Sequence, residues 1–166
     1  MKKVVCITGT PGCGKTSLCL KLSKKLPNLK FINIGDLISE KKLYDEWDDE
    51  MNCSIFDEKL VGKEISKIVS ESKHGIVFDF HSIGFIKPKL VDKVIVLQVE
   101  TDVLWDRLEK RGYSEKKIQE NVQAEIFMES YSEALEQFGE DKVQARPNNG
   151  VEERKVIIKE LVEFLS

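Results

Sequence analysis

The stretch that decides the fold is Gly9-Thr10-Pro11-Gly12-Cys13-Gly14-Lys15-Thr16, which has the spacing G-x-x-x-x-G-K-[ST]. It follows an apolar run at residues 4–7 and precedes a helical pattern. Glycines in such a loop let backbone N–H groups converge on phosphates, and the following helix adds positive potential. Lys15 then reaches the β- and γ-phosphates, while the Thr16 hydroxyl binds Mg²⁺. The motif predicts a nucleoside triphosphate site rather than a glycine-rich turn without a ligand.

Around this loop, β-rich runs alternate with helical patterns along the whole chain. The runs lie at residues 3–8, 30–33, 75–79, 93–99 and 142–145, and the helical patterns at 16–25, 58–70, 102–111, 114–138 and 152–165. Two of the runs are continuously apolar, as in strands buried on both faces. The alternation predicts an α/β fold, a single domain over residues 1–166 with a five-stranded parallel sheet and helices on both faces. A ligand is then expected beyond the carboxyl ends of the strands.

Composition excludes several other classes of protein. The 166 residues include 26 basic and 29 acidic ones, a net charge of −3, and 41% hydrophobic residues, so a packed core is expected. The longest apolar runs span four residues, which predicts an intracellular protein without a membrane segment. Basic residues never run beyond pairs, which argues against strong direct nucleic-acid binding. The four cysteines form no C-x-x-C pair, and we expect them reduced rather than bound to zinc.

A second candidate element lies at the end of the run at residues 75–79. Asp79 and His81 are two residues apart, so they share a face if the strand continues. At the carboxyl end of a core strand, Asp79 would orient water on Mg²⁺. His81 would orient an attacking water or contact a phosphate, and a purely structural histidine is the equal alternative.

Two charged stretches stand outside this core pattern. Residues 45–58 carry seven carboxylates and no lysine or arginine, whereas residues 107–121 are rich in basic residues. The acidic stretch is either a solvated loop or a docking surface for a basic protein. In the basic stretch, Arg107 and Arg111 are four residues apart and share a helix face, which suits a lid over ATP or a solvated surface. Beside Lys15 and a helix N-terminus, Cys13 is expected to favour the thiolate.

The phosphate loop leaves small nucleotide or metabolite kinases as the best class. GTPases are disfavoured because the guanine-reading N-K-x-D is absent. The chain resembles the adenylate kinase isoenzyme 6 family, also called the coilin-interacting nuclear ATPase. The matching motifs are the phosphate loop, Ile32-Asn33-Ile34-Gly35-Asp36-Leu37, Leu43-Tyr44-Asp45, Asp79-Phe80-His81, Arg107-Leu108-Glu109-x-Arg111-Gly112-Tyr113-Ser114-Glu115-Lys116-Lys117 and Asn121-Val122-Gln123-x-Glu125-Ile126-Phe127.

The resemblance implies an adenylate-kinase-like fold with a short lid, at residues 110–120. It also implies a part that binds the nucleoside monophosphate, at residues 33–56. The implied ATP-binding residues are Gly12, Cys13, Gly14, Lys15, Thr16, Ser17 and Arg111, and the implied monophosphate-binding residues are Asn33, Gly35, Asp36 and Tyr44. The implied catalytic residues are Lys15, Asp79, His81 and Arg111, with Mg²⁺ held by Thr16 and, through water, by Asp79.

The activity implied is the reaction ATP + AMP = 2 ADP together with ATP hydrolysis, in a monomer. The family further implies a small-subunit ribosomal protein as partner, a role in small-subunit maturation, and a location in nucleus and cytoplasm. An ATP-driven assembly factor, with kinase activity secondary, is the alternative. The chain departs from the family at one place that bears on the choice between kinase and assembly factor. Residues 39–42 are Ser-Glu-Lys-Lys, where the family often has an arginine. Lysine does not reproduce the bidentate phosphate contact of arginine.

Overall fold

A computed structural model describes residues 2–48 and 53–166, and its centre is a five-stranded parallel sheet. The sheet strands are β1 (Val4–Thr8), β2 (Lys30–Asn33), β5 (Ile76–Asp79), β6 (Lys93–Gln98) and β7 (Val143–Pro147), and a separate hairpin contains β3 (Tyr44–Asp48) and β4 (Cys53–Phe56). The sheet order is β2-β5-β1-β6-β7. The predicted five-stranded parallel sheet is therefore confirmed, with β1 at its centre.

Seven α-helices accompany the strands in the described residues. They are α1 (Lys15–Lys25), α2 (Ile34–Lys41), α3 (Glu58–Glu71), α4 (Thr101–Lys110), α5 (Glu115–Ile126), α6 (Glu129–Phe138) and α7 (Val151–Leu165). Within that part of the chain, none of these helices is long and apolar enough to cross a membrane.

The helices cover both faces of the sheet because successive strand residues point to opposite sides. In β1, Val4 and Cys6 enter a core formed with α2, α3 and α6. Val5 and Ile7 enter a second core formed with α1, α4, α5 and α7. All five residues of β1 are buried, which explains its continuous apolar sequence.

The segment 114–138 was predicted as one helix, and this prediction is wrong. Helix α5 ends at Ile126, and Met128, with φ 54°, separates it from α6. Ile118 of α5 is buried in the core with α1 and α7, whereas Ala134 and Phe138 of α6 are buried in the core on the other face. One straight helix cannot pack on both faces of a sheet, so the chain breaks where it crosses between them.

The segment between β2 and α3 is more regular than its sequence indicated. Residues 34–41 form helix α2, which was not predicted, and Asn33 caps it by accepting a hydrogen bond from the N–H of Asp36 at 2.8 Å. The antiparallel pair β3 and β4 begins one residue before the acidic stretch, at Tyr44, and the last residue of the stretch, Glu58, begins α3. Residues 49–52 lie outside the described part, so the predicted acidic docking surface remains a prediction.

The left-handed backbone at Met128 gives a test of the break between α5 and α6. Met128→Gly is expected to raise the free energy of unfolding by about 0.5–1 kcal/mol, because glycine adopts positive φ without the clash of a Cβ atom. Urea unfolding followed by circular dichroism measures the change.

The matched control is Phe127→Gly at a residue with φ −81°, where glycine is expected to lower stability by a similar amount. A loss of stability in Met128→Gly would contradict the described backbone.

Candidate active site

The phosphate loop is shaped by glycines that have no room for a side chain. Gly12 and Gly14 both have φ 95°. A Cβ atom on Gly12 would come within 2.8 Å of Leu104, and one on Gly14 would lie 2.5 Å from Nδ2 of Asn148. Gly14 precedes α1 and offers no side chain to cap it. The first N–H groups of α1 are therefore left to face a phosphate ligand.

The side chain of Lys15 folds back over the phosphate loop. Its Nζ donates hydrogen bonds to the carbonyl oxygens of Gly9 at 2.7 Å and Thr10 at 3.4 Å. The loop is itself closed by a bond from the N–H of Cys13 to the Thr10 carbonyl at 3.0 Å. The ammonium group is thus held beside the loop, where it can meet the phosphates of a nucleotide.

Arg107 supports the loop from outside the cleft. Its guanidinium donates hydrogen bonds to the carbonyl oxygens of Gly12 at 3.2 Å, Asn148 at 2.9 Å and Asn149 at 3.0 Å. The buried Asn148 in turn donates from Nδ2 to the carbonyl of Cys13 at 2.9 Å. Neither the predicted lid over ATP nor the predicted solvated surface describes these contacts. Arg107 instead connects the phosphate loop to the turn after β7.

Cys13 does not have the environment expected of a reactive thiol. Its side chain has no exposed surface and packs into the core with Leu18 and Leu104. Burial raises the pKa of the Cys13 thiol, and the nearby Lys15 opposes that rise only in part. The expectation that Cys13 favours the thiolate is therefore wrong, because desolvation outweighs the attraction of the lysine.

Asp79 is fixed at the carboxyl end of β5 by its neighbour in the sheet. Asn33 is its register partner on β2 and donates from Nδ2 to Oδ1 of Asp79 at 2.7 Å. Burial raises the pKa of the Asp79 carboxyl. The hydrogen bond from Asn33 and the charge of Lys15 oppose this rise only in part. The sheet thereby holds this carboxylate in one orientation near the phosphate loop.

The donor set at this position fits Mg²⁺. Thr16 and Asp79 both line the same cleft, and the described residues contain no group of three or more His, Cys, Asp or Glu side chains that would form a complete metal cage. Mg²⁺ usually takes one or two protein oxygens and completes its shell with phosphates and waters. Thr16 would supply a hydroxyl oxygen and Asp79 a hydrogen-bond acceptor for bound water.

His81 borders the cleft just past the end of β5, with its ring 4.3 Å from the Phe80 ring between centroids. Desolvation by the surrounding walls and repulsion by Lys15 lower the pKa of His81 from 6.5 to about 4. The imidazole is therefore neutral near pH 7. A neutral ring has both a hydrogen-bond donor and an acceptor, which is what an orienting group for water requires.

A cleft of about 750 Å³ brings most of the predicted site residues together. The predicted residues among those that line it are Gly12, Gly14, Lys15, Thr16, Asn33, Gly35, Asp36, Asp79, His81 and Arg111. Three others predicted for the site, Cys13, Ser17 and Tyr44, are not among its lining residues. The roles of individual residues in binding and catalysis stay predictions.

The predicted lid forms one wall of this cleft. Arg111 caps the end of α4 and is followed by a short turn, and Tyr113 and Lys117 line the cleft beside it. The Nζ of Lys117 lies 4.3 Å from the centre of the Tyr113 ring, a cation–π distance. The segment 110–120 is thus the joint between two helices together with the first turns of α5.

Two glutamates near the cleft were missed by sequence reasoning. Burial raises the pKa of the carboxyl of Glu125 on α5. Glu125 lies close to polar groups of Thr10 and Val99 that lower the pKa of its carboxyl, while its Oε2 is buried without a hydrogen-bond partner in the described residues. Glu133 on α6 lines the cleft and binds the chain after His81. The motif around residue 121 contains Glu125, but no sequence signal marked Glu133.

The titration of His81 provides a test of the cleft environment. The ring is expected to protonate with a midpoint near pH 4 rather than 6.5. Folded His81 binds its proton more weakly than unfolded His81, so its contribution to stability is complete above pH 6.5 and is lost as pH falls toward 4. The C–H signals of the ring, assigned by their loss in His81→Gln, measure the midpoint by NMR.

Lys15→Met serves as the control for the cause of this shift. It should raise the midpoint only part of the way, because desolvation is the larger cause. A wild-type midpoint near 6.5 would contradict the desolvation of the ring by the cleft walls.

Comparison with known proteins agrees with this geometry. Residues 5–128 match the family described as an AAA domain. A Caenorhabditis elegans protein named adenylate kinase isoenzyme 6 homolog is 35% identical over 160 residues, which cover 96% of this chain and 87% of that protein. A Schizosaccharomyces pombe protein of the same name is 34% identical over 163 residues, covering 98% and 91%.

Shikimate kinase from Bacteroides thetaiotaomicron shares the fold, with a TM-score of 0.62, 17% identity and coverage of 98% of each chain. The phosphate-loop domain and the names of the relatives support a nucleotide-binding kinase. The chain belongs to the adenylate kinase isoenzyme 6 family.

Proposed function

We propose that the protein transfers the γ-phosphoryl group of Mg·ATP to AMP, giving two molecules of ADP, and also hydrolyses ATP. The observation that carries this proposal is the single cleft. The phosphate loop and Arg111 line one part of it, and Asn33, Gly35 and Asp36 line another. A donor and an acceptor nucleotide can therefore meet with their phosphates over Lys15.

Transfer to AMP requires positioning and charge neutralisation rather than a general base, since the acceptor phosphate is already an anion. Lys15 and the N–H groups at the start of α1 hold the β- and γ-phosphates of ATP. Arg111 approaches from the lid and balances the charge that spreads over the transferred group. Bound Mg²⁺ supplies further neutralisation, with Thr16 and Asp79 as the side chains that hold it and its water.

For hydrolysis, water takes the place of AMP. The neutral imidazole of His81 would accept a hydrogen bond from this water and orient it toward the γ-phosphate. Asp79, held by Asn33, keeps its own acceptor oxygens aimed at the same edge of the sheet. One site therefore supports both reactions, and the acceptor decides between them.

A second function, that of an ATP-driven assembly factor, is favoured by the charge distribution of the cleft. Among the described lining residues, the lysines and arginines are Lys15, Arg111 and Lys117, in the phosphate loop, lid turn and α5. The acceptor side contains Asp36 and, from α6, Glu129. These carboxylates and the acidic stretch at 45–58 suit a basic partner better than a phosphate. The partner would be a small-subunit ribosomal protein, in nucleus and cytoplasm.

Separation of nucleotides by chromatography after incubation with Mg·ATP, with and without AMP, distinguishes the two functions. The proposed kinase is expected to form ADP at twice the rate of AMP loss, with slow hydrolysis alone. Equal formation of ADP and phosphate without faster turnover on adding AMP would contradict the kinase and support the second function. Basic ribosomal protein would then be added to measure stimulation of hydrolysis.

Arg111→Ala is expected to lower kcat by about 10³-fold, the loss typical of an arginine that stabilises the transferred phosphoryl group. ATP affinity, measured by fluorescence titration, should change far less, because the phosphate loop remains intact.

Lys110→Ala is the matched control, since it removes a neighbouring exposed cation that does not line the cleft. Equal losses of kcat and ATP affinity in Arg111→Ala would contradict the role of Arg111.

A further inference from the structure

The loop that follows β5 carries His81 and is held by hydrogen bonds to α6. Glu133 accepts a hydrogen bond at Oε1 from the N–H of Ile83, at 2.8 Å, and one at Oε2 from the hydroxyl of Ser82, at 3.1 Å. Both carboxylate oxygens of Glu133 thus accept hydrogen bonds from the two residues that directly follow His81. Hydrogen bonds to an ionised group are the stronger kind, which suits a role in fixing the backbone.

The close approach of Glu133 depends on Gly84. A Cβ atom at position 84 would lie 3.1 Å from Cγ and 3.3 Å from Cδ of Glu133, tighter than ordinary contact. The glutamate side chain therefore lies flat against the loop rather than reaching it from a distance. One turn further along α6, Gln137 donates a hydrogen bond from Nε2 to the carbonyl oxygen of Ile86 at 2.7 Å. The helix therefore binds the loop at two positions, Glu133 and Gln137.

The helix that supplies these contacts is itself firmly placed. Ala134 has no exposed surface and Phe138 is buried in the core beneath the sheet. At the start of the loop, the N–H of Phe80 bonds to the carbonyl of Ile7 at 3.1 Å. His81 thus lies between two fixed points, the sheet edge before it and the Glu133 carboxylate after it.

We infer that Glu133 is a positioning residue for His81, which it holds in the orientation needed to direct water at the γ-phosphate. The inference rests on the proposed hydrolytic function. It adds a specific dependence, because the effect of Glu133 on hydrolysis passes through His81. Glu133 need not touch the nucleotide or the water itself.

A double-mutant cycle tests this dependence. Glu133→Ala is expected to lower kcat for ATP hydrolysis by about 10- to 100-fold, the cost of a misplaced catalytic group, with ATP affinity within about twofold of wild type, as for a site whose phosphate loop is untouched. In a His81→Gln background, the same change should alter kcat by less than about twofold, since the group that it positions is already gone.

Three further variants distinguish an effect of Glu133 on the position of His81 from an effect of its lost charge or of impaired folding. Glu133→Gln keeps an oxygen for the Ile83 N–H and should restore kcat, whereas Glu133→Asp keeps the charge, is too short to reach, and should resemble Glu133→Ala. Glu136→Ala removes an exposed carboxylate from the same helix and should leave kcat unchanged. Should Glu133→Ala fail to fold in thermal unfolding, Glu133→Asp takes its place in the cycle.

The outcomes distinguish the inference from the function on which it rests. Equal losses of kcat in the wild-type and His81→Gln backgrounds, or a parallel loss of ATP affinity, would overturn the role of Glu133 alone. Unchanged hydrolysis in His81→Gln would instead overturn the proposed role of His81, and the positioning inference with it.

Discussion

The active-site cleft depends on a phosphate loop that is clamped by parts of the chain far from it in sequence. Leu104 and Leu108 of α4 lie beneath Gly12, and Asn148 lies against Gly14, so neither glycine has space for a side chain. Arg107 closes the clamp by bonding to both the loop and the turn after β7. These contacts therefore fix the shape of the phosphate loop.

The sheet and the phosphate loop could be predicted from sequence because their signals are local. A continuously apolar strand followed by the glycine pattern fixes both the element and its chemistry. The break at Met128 was not predictable in this way, because residues 127–128 contain no glycine or proline and the cause is packing on two different faces of the sheet. Helix α2 has only eight residues, too few for a clear helical pattern.

The side-chain environments were predicted less well than the positions. At Cys13, sequence neighbours indicated an electropositive site, but the side chain turns into the core, and burial decides its pKa. Asn33 and Asp79 were both named from motifs, yet their direct hydrogen bond follows from strand order, which no single motif contains. Glu133 lies fifty residues beyond the loop that it holds, so only the fold brings the two together.

The short connection between α5 and α6 joins the two cores of the protein, which lie on opposite faces of the sheet. Helix α5 packs with one core and carries the end of the lid, while α6 packs with the other and grips the loop after β5. The backbone around Met128 therefore connects the helix that carries the end of the lid to the helix that holds the loop after β5. Both helices line the cleft, α5 through Lys117 and Asn121 and α6 through Glu129 and Glu133, so each of the two cores supports one wall of the same site.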